Sequence, residues 1–163
     1  MFEQEIIDLS STVLDKARQH GLMVTTAESC TGGLIIGSLT EIAGSSDVVD
    51  RGFITYSNAA KQQMLGVSAV SIDRFGAVSE AVAKEMAYGA ISNSLADVSV
   101  AVTGVAGPGG GSIDKPVGTV WFGACKQGEP PIAFKKQFGE HSRSLIRKQT
   151  VITALETFIT LID

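Results

Sequence analysis

Two cysteines and two histidines are all that this 163-residue chain offers for thiolate or imidazole chemistry. Cys30 and Cys125 cannot by themselves build a disulfide framework or a zinc site, and thiols left unpaired suit a reducing compartment. Asp47, Asp50 and Asp114 are scattered without metal-ligand spacing, so no metal and no cofactor is expected. Basic residues are also scarce: 13 Lys and Arg stand against 17 Asp and Glu, giving a net charge of -4. That balance excludes a broad nucleic-acid surface, while leaving room for a small phosphorylated ligand held by one or two cations. No apolar run approaches the ~20 residues of a membrane span. The start, Met1-Phe2-Glu3-Gln4-Glu5, lacks the basic opening of a signal peptide. These absences lead to the expectation of a soluble, cytoplasmic protein with neither nucleic acid nor membrane as a partner.

What is present is glycine and aliphatic periodicity. Hydrophobic residues make up 44% of the chain, an ordinary globular content. Eighteen glycines exceed the usual ~7%, and the excess concentrates at Gly32-Gly33 and from Gly104 to Gly111, marking particular loops. The length fits a single domain over 1–163.

Ile6, Leu9, Val13 and Ala17 recur at helical steps within residues 3–20, stopped by Gly21. Leu22 to Thr26 reads as a buried strand and Thr31 to Ile42 as a helix. Arg51 to Tyr56 reads as a strand, followed by a short helix capped by Ser57 or Asn58 and ending at Leu65. Residues 68–77 are expected to be irregular. A helix then begins at Ser79, Asp97 to Thr103 forms a strand, and Gly104 to Pro116 is a long glycine-rich loop. Val117 to Cys125 and Pro131 to Phe138 read as strands joined as a hairpin, and Ser144 to Leu161 as a closing helix. This alternation predicts an α/β fold, a three-layer α/β/α sandwich with a mixed, mostly parallel sheet.

The chemistry concentrates at Thr25-Thr26-Ala27-Glu28-Ser29-Cys30-Thr31-Gly32-Gly33, where a strand hands over to a helix. In open α/β sheets ligands bind at the carboxyl ends of strands, and a helix start offers unpaired N–H groups to an anion. Ser29 is there either a capping hydroxyl or a nucleophile. Cys30 is a rival nucleophile, activated if a helix N-terminus lowers its pKa and inert if it is buried. A base is required in either case. His20 lies at the far end of a helix and His141 in a polar turn with no orienting carboxylate nearby in sequence, so a Ser-His-Asp triad has little support. Lys61 is the other candidate. It falls in the first turn of a helix, where the dipole disfavours a cation, and partial burial would lower its pKa further. Such an amine can take a proton from a serine; the alternative is a solvated surface lysine. Tyr56, five residues earlier at a strand end, would donate a proton or hold the lysine.

The loop Thr103-Gly104-Val105-Ala106-Gly107-Pro108-Gly109-Gly110-Gly111-Ser112 leaves a strand end and can line a ligand with backbone amides. It is neither a P-loop nor a dinucleotide fingerprint, because no Lys-Ser or Lys-Thr follows and no helix opens after it. Arg143 and Arg147, at the start of the last helix, can grip a phosphate or simply form a basic surface.

Taken in series, these segments resemble one family. They are Ala27-Glu28-Ser29-Cys30-Thr31-Gly32-Gly33, Ala43-Gly44-Ser45-Ser46, Tyr56-Ser57-Asn58-Ala59-Ala60-Lys61, Gly76-Ala77-Val78-Ser79-Glu80, Val102-Thr103-Gly104-Val105-Ala106-Gly107-Pro108 and Lys115-Pro116-Val117-Gly118-Thr119-Val120. Together they are similar to the CinA C-terminal domain, in order and from about residue 5 onward. The resemblance implies an α/β/α sandwich, a homodimer in a stand-alone form, and hydrolysis of the carboxamide of nicotinamide mononucleotide to nicotinic acid mononucleotide and ammonia, in pyridine nucleotide recycling. It implies Ser29 as nucleophile, Lys61 as base and Tyr56 as a support for proton transfer. Thr31, Gly32 and Gly33 would offer amides to the oxyanion, and Thr103 and Gly104 would line the site. Gly44, Ser45, Ser46 and Arg143 would hold ribose and phosphate. One departure stands out: the family's Gly-Asp-Arg-like turn before the last helix is here His141-Ser142-Arg143. If the aspartate orients the arginine, its loss weakens phosphate binding. A non-catalytic nucleotide-binding or regulatory module is the contrasting reading; it would keep the glycine loops and Arg143 without needing Lys61 or Tyr56.

Overall fold

A computed structural model describes all residues, Met1–Asp163. Five strands form one sheet in the order β2-β1-β3-β4-β5. They are β1 (Val24–Glu28), β2 (Val49–Ile54), β3 (Val98–Gly104), β4 (Thr119–Lys126) and β5 (Ile132–Gln137). The pairs β1–β2 and β1–β3 are parallel, while β3–β4 and β4–β5 are antiparallel. Only β4 therefore runs against the other four strands, which gives the expected mixed, mostly parallel sheet.

Six α-helices cover the two faces: α1 (Gln4–His20), α2 (Leu34–Thr40), α3 (Asn58–Leu65), α4 (Ala69–Phe75), α5 (Glu80–Ser92) and α6 (Arg143–Ile162). No helix is long and apolar enough to cross a membrane.

The period-two alternation of β3 separates the two cores. Val98, Val100 and Val102 join the larger cluster with Val13, Leu14, Ile35, Leu39, Phe122, Leu155 and Phe158, beneath α1, α2 and α6. Ala101 points the other way with Ala27, to a smaller cluster with Leu65, Val82, Met86 and Ala90, beneath α3 and α5. Small residues let α5 approach the sheet on that side: a Cβ at Gly123 would stand 2.1 Å from the Ala83 carbonyl oxygen.

Two boundaries move in ways that matter for the site, and one helix is added. β1 ends at Glu28 rather than Thr26, so Ser29 is the first residue beyond the strand. α2 begins at Leu34 rather than Thr31, because Gly32 (φ 58°) and Gly33 (φ 100°) take left-handed conformations that a helix cannot hold. The stretch 68–77, expected to be irregular, contains α4. This helix buries only Ile72 and leaves Val70 and Phe75 exposed, so it has no apolar stripe to betray it. Its signature was in the caps, Ser68 at the start and Gly76 at the end.

Because β1, β2 and β3 are mutually parallel, their carboxyl ends share one edge. Ser29 follows β1, Thr55 and Tyr56 follow β2, and Thr103-Gly104 closes β3. The pairing continues past the strands, with Thr55 N–H donating to Glu28 O at 2.8 Å and Ser29 N–H to Val102 O at 3.1 Å.

Candidate active site

At that edge the Lys61 side chain is only 1% exposed, and its Nζ lies 2.9 Å from Ser29 Oγ. The same nitrogen donates to the Thr55 carbonyl at 2.9 Å and faces the Tyr56 carbonyl at 3.5 Å. No carboxylate approaches it within ion-pairing distance. Burial accordingly lowers its pKa from 10.5. Nζ thus has three oxygen partners and no anion: it donates to the Ser29 hydroxyl and the Thr55 carbonyl and faces the Tyr56 carbonyl. Helix α3 sets this geometry. Its N-cap Ser57 accepts Ala60 N–H at 3.0 Å, and Lys61 projects from the first turn back toward the sheet edge.

Ser29 is held by a turn whose Gly32 N–H donates to the Ser29 carbonyl at 3.1 Å. Beneath it lies a group to which the sequence alone assigns no role. The fully buried Glu28 carboxylate accepts the Thr31 hydroxyl at 2.7 Å, the Thr26 hydroxyl at 3.2 Å, and the amides of Gly33, Ile35 and Ile36 at 3.0, 3.1 and 2.8 Å. The start of α2 is thus filled by the chain's own carboxylate, which corrects the expectation that it is open to a ligand anion. Two of the expected oxyanion donors are also spent, Gly33 N–H on Glu28 and Gly32 N–H on Ser29. The amides of Cys30 and Thr31, the first two after the serine, donate to no backbone or side-chain oxygen. An acidic residue just ahead of a helix start was the available sequence signal.

Ser29 and Lys61 open onto a cavity of about 270 Å³, whose wall also includes Tyr56, Asn58, Thr103, Gly104 and Arg143. Thr103 is oriented by donating its hydroxyl to the Ala77 carbonyl at 2.9 Å. Gly104 has no room for a side chain, since a Cβ would meet Thr119 O at 2.9 Å. The Tyr56 hydroxyl accepts from Arg143 at 3.0 Å, and the other arm of that guanidinium donates to Gly107 O at 2.9 Å. Tyr56 therefore meets Lys61 through its carbonyl, while its phenol faces the arginine.

Not every expected residue arrives at this cavity. Gly44, Ser45 and Ser46 sit just before β2, whose first residue, Val49, pairs with Val24. They lie at the opposite end of the sheet, where Arg18 donates to the Gly44 carbonyl. Arg147 also stays out of the wall and instead donates to the carbonyls of Cys30 and Thr31, both at 3.1 Å. His20 and His141 are exposed, and neither lines the cavity that contains Ser29. Cys30 is buried, and burial pushes its thiol up to about 12, so it is protonated at neutral pH; the activated-thiolate reading fails for that reason. Both cysteines are free. No group of three or more His, Cys, Asp or Glu side chains is placed to hold a metal ion.

The missing acid at position 142 also finds an account. Ser142 is the N-cap of α6, its Oγ accepting Leu145 N–H at 3.2 Å. Serine and aspartate serve this position about equally. Arg143 is held instead by Tyr56 and Gly107.

The family model for the CinA C-terminal domain matches residues 6–162. The chain belongs to the CinA C-terminal domain family. Among curated relatives it is 48% identical over 157 residues to the nicotinamide-nucleotide amidohydrolase PncC of Enterobacter agglomerans, covering 96% of this chain and 95% of that protein. It is 46% identical over 158 residues to the protein of the same name from Escherichia coli K12, covering 96% and 94%. Among solved structures, the competence/damage inducible protein CihA from Agrobacterium tumefaciens superposes with a TM-score of 0.97 at 50% identity, covering 100% of this chain and 99% of that one. In this CinA-family domain, then, the parallel strand ends carry a buried serine–lysine pair in a small cavity.

Proposed function

We propose that this protein is a nicotinamide-nucleotide amidohydrolase that converts nicotinamide mononucleotide to nicotinic acid mononucleotide and ammonia through an acyl-enzyme on Ser29. The observation that carries the reading is the 2.9 Å contact between Ser29 Oγ and a buried lysine with no counter-ion. The names of the full-length relatives supply the substrate.

In this mechanism neutral Lys61 takes the Ser29 proton as Oγ attacks the carboxamide carbon. The oxyanion that forms is met by the Cys30 amide. As the tetrahedral intermediate collapses, the C–N bond breaks and Lys61 returns the proton to the departing nitrogen, releasing ammonia. Water then repeats the sequence on the ester, again losing a proton to Lys61, and frees the carboxylate and Ser29. Arg143, steadied by Tyr56, is placed to receive the phosphate, and Thr103 and Gly104 bound the ring. The enzyme acts as a cytoplasmic homodimer in this reading.

The test is ammonia release from nicotinamide mononucleotide with a chelator present. Wild type and Cys30→Ala should both be active, whereas Ser29→Ala and Lys61→Ala should fall to background. Nucleotide binding without turnover in wild type would favour the binding-module reading instead.

A further inference from the structure

Arg147 is the least economical residue of α6. It lies one turn into the helix, near a positive dipole end that already carries Arg143 and Lys148 and has no acid in its first turn. Its guanidinium makes no carboxylate pair. It reaches instead across to the turn after β1, where Nε donates to Cys30 O and Nη2 to Thr31 O, both at 3.1 Å. These are consecutive carbonyls. The peptide groups that own them are trans, the Gly107–Pro108 bond being the one cis peptide. In a trans peptide the N–H points opposite to the C=O. Fixing the Cys30 and Thr31 carbonyls therefore fixes the directions of the Thr31 and Gly32 amides. The Gly32 amide closes the turn on the Ser29 carbonyl, and that peptide in turn orients the Cys30 N–H. Glu28 holds the same turn through the Thr31 hydroxyl and the Gly33 amide. The turn is thus gripped by an anion and a cation at different atoms, and Arg147 does so without entering the cavity wall that Ser29, Cys30 and Arg143 share.

We infer that Arg147 is a positioning residue: its two bonds to the Cys30 and Thr31 carbonyls set the serine and the amide after it for attack. This rests on Ser29 being the nucleophile. A single ammonium cannot reproduce the forked contact, so lysine is a poor substitute here. Arg147 thereby differs in role from Arg143, four residues earlier on the same helix, which faces the ligand space.

The experiment compares Arg147→Met and Arg147→Lys with wild type, at matched folded fraction by thermal unfolding. For nicotinamide mononucleotide, kcat should fall about 10²-fold in Arg147→Met, the scale on which misplacing reacting groups acts, with KM within about twofold. Arg147→Lys should recover only a small part of this. Phosphonylation of Ser29 by a fluorophosphonate, followed by intact mass, should slow by a similar factor. Calorimetric binding of the nucleotide to Ser29→Ala and to Ser29→Ala/Arg147→Met should give the same Kd. A Kd weakened tenfold or more with unchanged labelling would make Arg147 a phosphate ligand and overturn the proposal. Unchanged kcat and labelling would reduce it to a packing residue and overturn it equally. If wild type releases no ammonia, the amidohydrolase reading fails, and the labelling comparison still decides the role of Arg147.

Discussion

The Glu28 carboxylate accepts the Thr31 hydroxyl at 2.7 Å from within the fully buried end of β1. With the Gly33 amide and two amides of α2 on the same two oxygens, it completes the turn that presents Ser29. Truncation leaves several buried donors unpaired, each costing about 1–3 kcal/mol. Glu28→Ala should therefore destabilise the fold by at least about 3 kcal/mol, read as a lower urea midpoint. A variant as stable as wild type would remove Glu28 from this structural role.

The buried Lys61 gives a pH dependence with a definite sign. Its folded pKa lies below 10.5, so between that lowered value and 10.5 the unfolded chain binds the extra proton. Stability then rises with pH across this window, and the full penalty is felt below it. Lys61→Met should abolish that rise in urea titrations and be no less stable than wild type near pH 7. Activity follows the same ionisation: kcat/KM should climb with pH through a single pKa below that of a free lysine and then level. A rate independent of pH across the range up to 10 would argue against a titrating lysine base.

Position 142 separates capping from catalysis. Ser142→Ala removes the α6 N-cap and should cost about 1 kcal/mol. Ser142→Asp puts an equally good capping residue at this position and should keep stability within a few tenths of a kcal/mol. Because Arg143 is held by Tyr56 and Gly107, KM for the nucleotide should not improve in Ser142→Asp. A KM several-fold lower would mean that the acid does orient the arginine.

Much of this was legible before the structure because it rests on local patterns. The valines of β3 alternate, the apolar residues of α1 recur at helical steps, and Gly21 ends that helix. Ser29 and Lys61 stand out in the sequence as candidates because each lies where a strand gives way to a helix, though their contact spans 32 positions and depends on the parallel pairing of β1 with β2. What was not legible is the pairing of polar groups at a distance. The partners of Glu28 reach into α2, and those of Arg147 are carbonyls more than a hundred residues away, which no side-chain pattern encodes. Gly44, Ser45 and Ser46 offer hydroxyls and a turn suited to a ligand, but strand direction puts them at the other end of the sheet. Cys30 likewise looks activated from its place before a helix until burial is known. And α4, with one buried side chain, offers no periodicity to read.

The most direct test of the central claim is ammonia release from nicotinamide mononucleotide by Lys61→Met and Lys61→Arg, each compared with wild type at equal folded fraction. Methionine keeps the shape of the side chain without a basic atom, and arginine keeps the charge but cannot give up its proton. The account predicts that both lose at least about 10²-fold in kcat, the scale of a general base, while still binding the nucleotide. Activity within tenfold of wild type in either variant would contradict a Ser29–Lys61 pair in which the lysine takes the proton.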